Sequence, residues 1–384
     1  MKIAIYSGVI PSTTFIENLI LGLGEKGETV YLFGRINRKV NYRNKNIHVH
    51  GQTSNKLLFA IIFFIRFLRL AVCYPKRCVA LFRIVREKKS VALCSKYLPV
   101  LLHLPDIFHV QWAKGIEEWL FLKEFGVKLI VSFRGTHINI SPVADAALAE
   151  MYQRVLQQYD GFHCVSKAIL AEGLKYGASS EKSCVIYPAV NDALIASEIS
   201  YTKNKTLTFL SVGRNHWKKA YNIALDACKI LKDNGLDFSY KIVAEKNIEE
   251  LEYQISDLKL EDHIEFLGQL SHNEVLELYK TVDFCLLPSV EEGVANVVLE
   301  AMALGCPVLS SDCGGMTEVI TDGVNGIIFS MRNPDAIAEA ISRFAQLPEE
   351  KIREMIAAAQ KTIAEKHVKS KQIEEMLHFY KRIV

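Results

Sequence analysis

Short apolar runs recur along the chain, each ending at Gly, Pro, Ser or Asn, with stretches of helical period between them. The runs predict strands at Met1–Tyr6, Thr29–Phe33, Ile107–Gln111, Leu129–Phe133, Gly161–Ser166 and Lys182–Tyr187, then at Thr206–Val212, Lys241–Ala244, His263–Leu267, Phe284–Leu287 and Val308–Ser311. Helices are predicted from about Ser12 to Leu23, over Glu274–Lys280 and Ala295–Leu304, through an Ala-rich stretch ending near Lys366, and over Lys369–Val384. In the last, Ile373, Met376, Leu377 and Tyr380 share one face. Strands alternating with helices imply an α/β fold with parallel sheets. A chain of 384 residues is too long for one compact core, so two doubly wound domains are expected: 1–188 with 369–384, and 189–368.

The most informative stretch is Pro288–Phe329. A strand stops at Pro288-Ser289, Glu291-Glu292-Gly293 follow, a helix runs to a Gly305 stop, and a second strand leads to Asp312-Cys313-Gly314-Gly315. In a strand–turn–helix unit the turn faces a ligand crevice, and the helix N-terminus offers free N–H groups to an anion. Gly293 permits close backbone approach. Glu292 and Glu300 lie eight residues apart, roughly two helical turns, so both carboxylates fall near one face. A carboxylate accepts two hydroxyls, which suits vicinal hydroxyls of a sugar or ribose.

This stretch resembles the signature of retaining GT-B glycosyltransferases of the family 4 (group 1) type. The matching residues are Glu292-Gly293, Asn296-Val297-Val298-Leu299-Glu300-Ala301-Met302-Ala303, Gly305-Cys306-Pro307-Val308 and Gly314-Gly315-Met316-Thr317-Glu318. The resemblance implies a GT-B fold, two Rossmann-like domains facing a cleft. It also implies retaining transfer of a sugar from a nucleoside diphosphate to an acceptor hydroxyl. Glu292 would hold donor-sugar hydroxyls and Glu300 the ribose, while the amides of Gly293, Val294, Ala295 and Asn296 approach the diphosphate. Gly213-Arg214-Asn215-His216-Trp217-Lys218-Lys219-Ala220 resembles the family's Gly-Arg…Lys-Gly turn, with Ala220 in place of the glycine. Arg214 and Lys219 thereby map onto the pair that grips the diphosphate, where fixed cations stabilise developing leaving-group charge. By the same resemblance Gly268 passes the nucleobase, Gly8 lies near the donor phosphates, and Ser166 lies on the acceptor side. Arg134-Gly135-Thr136-His137 departs from the family: Arg134 stands where a histidine is common and His137 where an acid is. Arg134 suits a phosphate or an acidic sugar, and His137 reads as acceptor-side or structural. The chain has no D-x-D triplet, so neither metal nor cofactor is expected.

Gly22-Leu23-Gly24-Glu25-Lys26-Gly27 matches G-x-G-x-x-G, but a helix precedes it and a strand follows, so it is read as helix-ending turn rather than a nucleotide site. Charge changes the picture further. The net +3 divides into +12 up to Pro188 and −9 beyond, which implies an anionic partner for the first half. Lys56–Lys89 carries nine Lys/Arg, one acid and a long apolar content. It is too short in uninterrupted apolar residues to span a bilayer. It reads either as a segment lying in the membrane interface, near a lipid-linked or oligosaccharide acceptor, or as a buried helix with Arg at its rim. Nine scattered cysteines suggest a reducing compartment and small buried hydrophobes. The apolar part of the first strand is too short for a signal peptide. The expected location is therefore cytoplasmic, peripheral to the inner face of the cell membrane, in cell-surface polysaccharide or lipopolysaccharide synthesis. No nucleic-acid motif is present. Two other readings keep the same fold: a nucleotide-sugar epimerase, and a non-catalytic membrane assembly partner.

Overall fold

The structure is a computed structural model that describes residues 1–38, 40–53, 55–195, 201–246 and 248–384. It divides into two units: 1–165 with 169–186 and 373–384, and 166–168 with 187–372.

The first unit holds a seven-stranded parallel sheet in the order β3-β2-β1-β4-β5-β6-β7. The strands are β1 (Lys2–Ile10), β2 (Thr29–Ile36), β3 (Ile47–Val49), β4 (Ile107–Val110), β5 (Lys128–Phe133), β6 (Gly161–Cys164) and β7 (Ser183–Val185). Its helices are α1 (Thr14–Glu25), α2 (Lys56–Cys73), α3 (Pro75–Glu87), α4 (Ala92–Leu102), the short α5 (Thr136–Asn139) and α6 (Ser141–Ala144), α7 (Ala146–Leu156) and α8 (Lys167–Lys175). Strands β4, β5 and β6 are buried along nearly their whole length, as contiguous apolar runs covered on both faces must be. Two readings of the sequence change. The first strand does not stop at Tyr6 but continues to Ile10 through a register shift between Ile5 and Gly8, so Gly8 sits inside the strand, opposite Gly34. Gly22 and Gly24 lie within α1 rather than in a turn, because Ile373 packs where a Gly22 Cβ would stand and Ile47 packs at Gly24.

The second unit holds a six-stranded parallel sheet in the order β10-β9-β8-β11-β12-β13. The strands are β8 (Leu207–Val212), β9 (Phe238–Val243), β10 (Ile264–Phe266), β11 (Phe284–Leu287), β12 (Val308–Ser311) and β13 (Ile327–Phe329). The helices are α9 (Tyr221–Asp233), α10 (Glu249–Asp257), α11 (His272–Leu278), α12 (Asn296–Ala303), α13 (Pro334–Gln346) and α14 (Glu349–Lys366). The Ala-rich stretch is thus two helices, broken where Leu347 and Pro348 leave the helical region. Strand order reverses between β8 and β11, the switch point at whose carboxyl ends ligands bind in doubly wound sheets.

The last helix, α15 (Lys369–Ile383), returns to the first unit, and Ile373, Met376, Phe379 and Tyr380 join the core that also contains Ile3, Ile5, Leu19 and Ile130. Tyr380 ends a buried polar chain. Tyr380 Oη lies 2.6 Å from His109 Nδ1, His109 Nε2 lies 2.8 Å from Ser132 Oγ, Ser132 Oγ lies 2.8 Å from His163 Nδ1, and His163 Nε2 lies 3.0 Å from the Ile186 carbonyl. A carbonyl only accepts, so His163 Nε2–H donates to it, and every hydrogen bond back to Tyr380 is then oriented one way. Burial holds both imidazoles neutral, pushing His163 down to about 3 and His109 well below its ordinary value. Six of the nine cysteines are buried, but Cys73 is exposed, against the expectation for it.

Candidate active site

At the switch point of the second unit, the segments after β8 and β11 come together. The turn after β8 closes with a short 3-10 helix, Trp217–Lys219, and the Val290 N–H donates to the Lys218 carbonyl at 2.8 Å, tying that turn to the loop after β11. Lys219 Nζ then lies 2.7 Å from Glu292 Oε1, with Ser289 Oγ at 3.3 Å from the same oxygen and Lys218 Nζ at 3.6 Å from Oε2. Gly213 allows this approach, since a Cβ there would stand 2.8 Å from Lys219 Cε. Ala220, which replaces the family's glycine, holds the left-handed backbone a glycine would take, at φ 52°.

Burial raises the Glu292 carboxyl, but Lys219 and Lys218, with the hydrogen bonds from Lys219 and Ser289, outweigh it and hold the group below its ordinary value. Glu300, on α12, has the opposite environment. Burial raises it to about 7, and His272 Nδ1 lies 3.9 Å from its Oε1. The two acids thus differ in kind: Glu292 is a carboxylate locked by cations, and Glu300 is a desolvated carboxyl with no cation at hydrogen-bond distance among the described residues. Between them α12 begins at Asn296, and its N-cap residue Ala295 offers no side-chain cap to the first-turn amides, the groups an anion can use. Val294 and Ala295 are nearly buried at this helix entry.

Two glycines set the position of Glu292. A Cβ on Gly314 would stand 1.7 Å from the Glu292 carbonyl oxygen, and one on Gly315 would stand 2.0 Å from that of Gly293. The Gly315 N–H donates to the Glu292 carbonyl at 3.3 Å. The Gly-Gly turn after β12 is therefore the wall against which the Glu292 loop rests. Ser166 is fully buried, packed beneath Gly315. Glu318 accepts from the Lys167 and Ala168 amides at 2.9 Å each and from Tyr187 Oη at 2.8 Å, which groups 166–168 with this unit.

Other residues singled out from the sequence fall elsewhere. Arg214 is exposed on the turn after β8, and its charge acts on Glu245, which the Asn215 amide chiefly holds low. Gly268 follows β10 at φ 83°, with Lys246 packed over it. Gly8, Arg134 and His137 belong to the first unit. There the Arg134 guanidinium donates to Gln111 Oε1 at 2.7 Å and stacks on Phe15 at 4.7 Å, and burial lowers it to about 10. His137 stands edge-on to Trp112 at 5.9 Å and is lowered by burial and then by Lys114. Sequence reasoning missed Lys218, Ser289 and the wall-forming role of Gly314 and Gly315. Lys218 beside Lys219 was the one visible signal.

Comparison with known proteins bears on the family and the fold. Residues 195–362 match the family model of glycosyl transferases, group 1. The amylovoran biosynthesis glycosyltransferase AmsK of Erwinia amylovora is 28% identical over 284 residues, 71% of this chain and 70% of that protein. The colanic acid biosynthesis glycosyltransferase WcaL of Salmonella typhimurium, itself named as putative, is 27% identical over 273 residues, 68% of this chain and 66% of that protein. Among solved structures, Anabaena HepE in complex with UDP aligns over 100% of both chains with a TM-score of 0.73 at 16% identity, a likeness of fold. The domain that carries Glu292 and α12 is thus similar to the group 1 glycosyl transferases, and the two parallel Rossmann-like sheets are a GT-B fold.

Proposed function

We propose that the protein is a retaining, metal-independent glycosyltransferase. In this reading it moves a sugar from a nucleoside diphosphate to a hydroxyl of a lipid-linked saccharide, in cell-surface polysaccharide or lipopolysaccharide synthesis at the inner face of the cell membrane. The observation that carries the reading is the Lys219–Glu292 pair at 2.7 Å, set at the switch point beside an uncapped helix N-terminus. Glu292, ionised and held by Lys219, Lys218 and Ser289, accepts donor-sugar hydroxyls and stabilises positive charge growing at the anomeric carbon. Lys219 touches this carboxylate and reaches toward the diphosphate, so leaving-group charge and sugar charge are met by one coupled pair. The Gly293–Asn296 amides and Arg214 supply further donors to the diphosphate, and Glu300 accepts from the ribose. A carboxylate already locked by two lysines is a poor nucleophile, which favours front-face displacement assisted by the leaving phosphate. The relatives named above carry the names of amylovoran and colanic acid biosynthesis, and HepE was solved with UDP, so UDP-sugars are the first donors to try.

Calorimetry with UDP, GDP and ADP, without metal, tests the donor site. One nucleotide should bind, and Lys219→Ala should weaken it by about tenfold. Binding of none of the three, or equal binding by the variant, would overturn the assignment.

A further inference from the structure

Helix α2 is apolar on two opposite sides, and only one of them is covered. Phe63, Phe67, Leu70 and Ala71 pack inward on the core of the first domain, where Leu70 is the helix's one fully buried residue. Leu57, Leu58, Ile61, Phe64, Ile65, Leu68 and Val72 face outward, with Phe64 60% and Val72 79% exposed. At 100° per residue these seven fall within an arc of about 120°, a continuous stripe rather than scattered positions. On the neighbouring α3, Val79 and Phe82 are exposed as well, 69% and 54%, and Phe82 meets Phe67 edge-on at 5.8 Å. Soluble surfaces do not carry a contiguous patch of this kind without a partner.

The charges around the stripe say which partner. Nine Lys/Arg and one acid lie in 56–89. Arg66 turns inward, donating to the His50 carbonyl at 3.3 Å, and Arg83 pairs with Glu124 and Glu87. Lys56, Arg69, Lys76, Arg86, Lys88 and Lys89 remain exposed around the apolar face. A second copy of the chain would bring the same cations against themselves, which is repulsive. An anionic bilayer offers hydrocarbon to the stripe and phosphate to the cations at once. The stripe from Leu57 to Val72 is about 22 Å long, short of a ~30 Å hydrocarbon core, and no helix among the described residues is long and apolar enough to cross a membrane. The helix pair therefore lies flat.

We infer that α2 and α3 form a plate that docks on an anionic bilayer, burying Leu57, Ile61, Phe64, Ile65, Leu68, Val72 and Phe82 among the acyl chains. The plate gives the proposed lipid-linked acceptor a surface on which to meet the enzyme, but docking itself needs neither donor nor acceptor.

Flotation of the whole chain with vesicles tests it, using neutral phosphatidylcholine alone or with one third phosphatidylserine. The protein should float with the anionic vesicles and far less with neutral ones, and 0.5 M salt should weaken flotation several-fold. Phe64→Glu with Leu68→Glu should reduce the bound fraction about tenfold or more, while Val143→Glu, at an apolar position 76% exposed on α6, should leave it unchanged. Leu57→Ser with Val72→Ser, at the stripe's exposed ends, serves where the double glutamate variant does not fold. Failure of the native chain to float with anionic vesicles would overturn the inference, as would undiminished flotation of the folded variants. Self-association that the variants abolish, without flotation, would assign the face to a second copy and also overturn it. None of these outcomes touches the donor-site reading, which nucleotide binding decides separately.

Discussion

Replacing Gly314 by alanine tests whether the Gly-Gly turn positions Glu292, the proposed catalytic carboxylate. The new Cβ would lie 1.7 Å from the Glu292 carbonyl oxygen. Ordinary contact between non-bonded atoms needs about 3.5 Å, so the Glu292 loop has to retreat by more than about 1.5 Å. The atom in the way is backbone, which has no rotamer to yield. The φ of 52° at Gly314 adds the left-handed penalty of an L residue, about 1–2 kcal/mol. Misplacing a reacting group by about 1 Å costs on the order of a hundredfold in rate. Gly314→Ala should therefore lower turnover about a hundredfold, read as nucleoside diphosphate release from whichever donor binds. Gly323→Ala is the matched control. It has a similar positive φ of 70° and open space around the site of its Cβ, so it should carry the backbone penalty, a Tm loss of about 2–8 °C, and retain activity. If Gly314→Ala turned over within threefold of the native protein, or if Gly323→Ala lost as much, the wall would not be what sets Glu292.

Steady-state kinetics of two alanine variants should separate the roles in the site. Glu300→Ala raises the donor KM with a smaller change in kcat, while Lys219→Ala lowers kcat by about a hundredfold and destabilises the domain by about 2 kcal/mol, since Lys218 still faces the buried Glu292 carboxylate. Glu300 also makes pH a probe: its folded pKa of about 7 lies above the ordinary 4.5, so the folded protein favours its protonated form and stability falls as pH rises from about 4.5 to 7. If Glu300 binds the donor ribose as proposed, donor affinity should rise through the same range, and Glu300→Gln should flatten both trends in calorimetry and thermal melts. The first domain should be the acid-labile one. Its buried His109 and His163 titrate below their ordinary values, so stability is lost as pH falls below about 6.5, where the unfolded chain takes up protons that the folded one refuses. Tyr380→Phe, which removes the donor to His109, should destabilise that domain by about 1–2 kcal/mol in denaturant melts, without changing nucleotide binding.

The parts legible in the sequence were those written in contiguous residues. Parallel strands covered on both faces read as unbroken apolar runs, so β5, β8, β11 and β12 stand within a residue or so of expectation. The three-residue β3 and the helix α4, with Pro99 inside it, carry too little or contradictory pattern. In the site, the family-like run singled out Glu292 and Glu300, which the fold places in the loop before α12 and within α12, but not their unlike electrostatics, which depend on a lysine 73 positions away for Glu292 and on local burial for Glu300. A glycine requirement at Gly314 reads locally as a turn. Only the fold shows that another loop's carbonyl fills the space a side chain would need. The outward stripe on α2 was ambiguous for a physical reason: a helix apolar on both sides has the same composition whether it is buried or lies on a bilayer, and only the position of the core on one side tells them apart.

The return of α15 has a consequence for how the protein is made. A ribosome delivers the chain from its N-terminus, so all seven strands of the first domain emerge early, yet the core they share with Ile373, Met376, Phe379 and Tyr380 stays open until those residues leave the exit tunnel. Until then His109, Ser132 and His163 lack the hydroxyl that heads their chain of hydrogen bonds. The second domain, complete at residue 372, has everything it needs sooner. Synthesis order and folding order are thus reversed: the half made first closes last, and a released chain truncated before residue 373 should already bind nucleotide while its first domain remains open to protease.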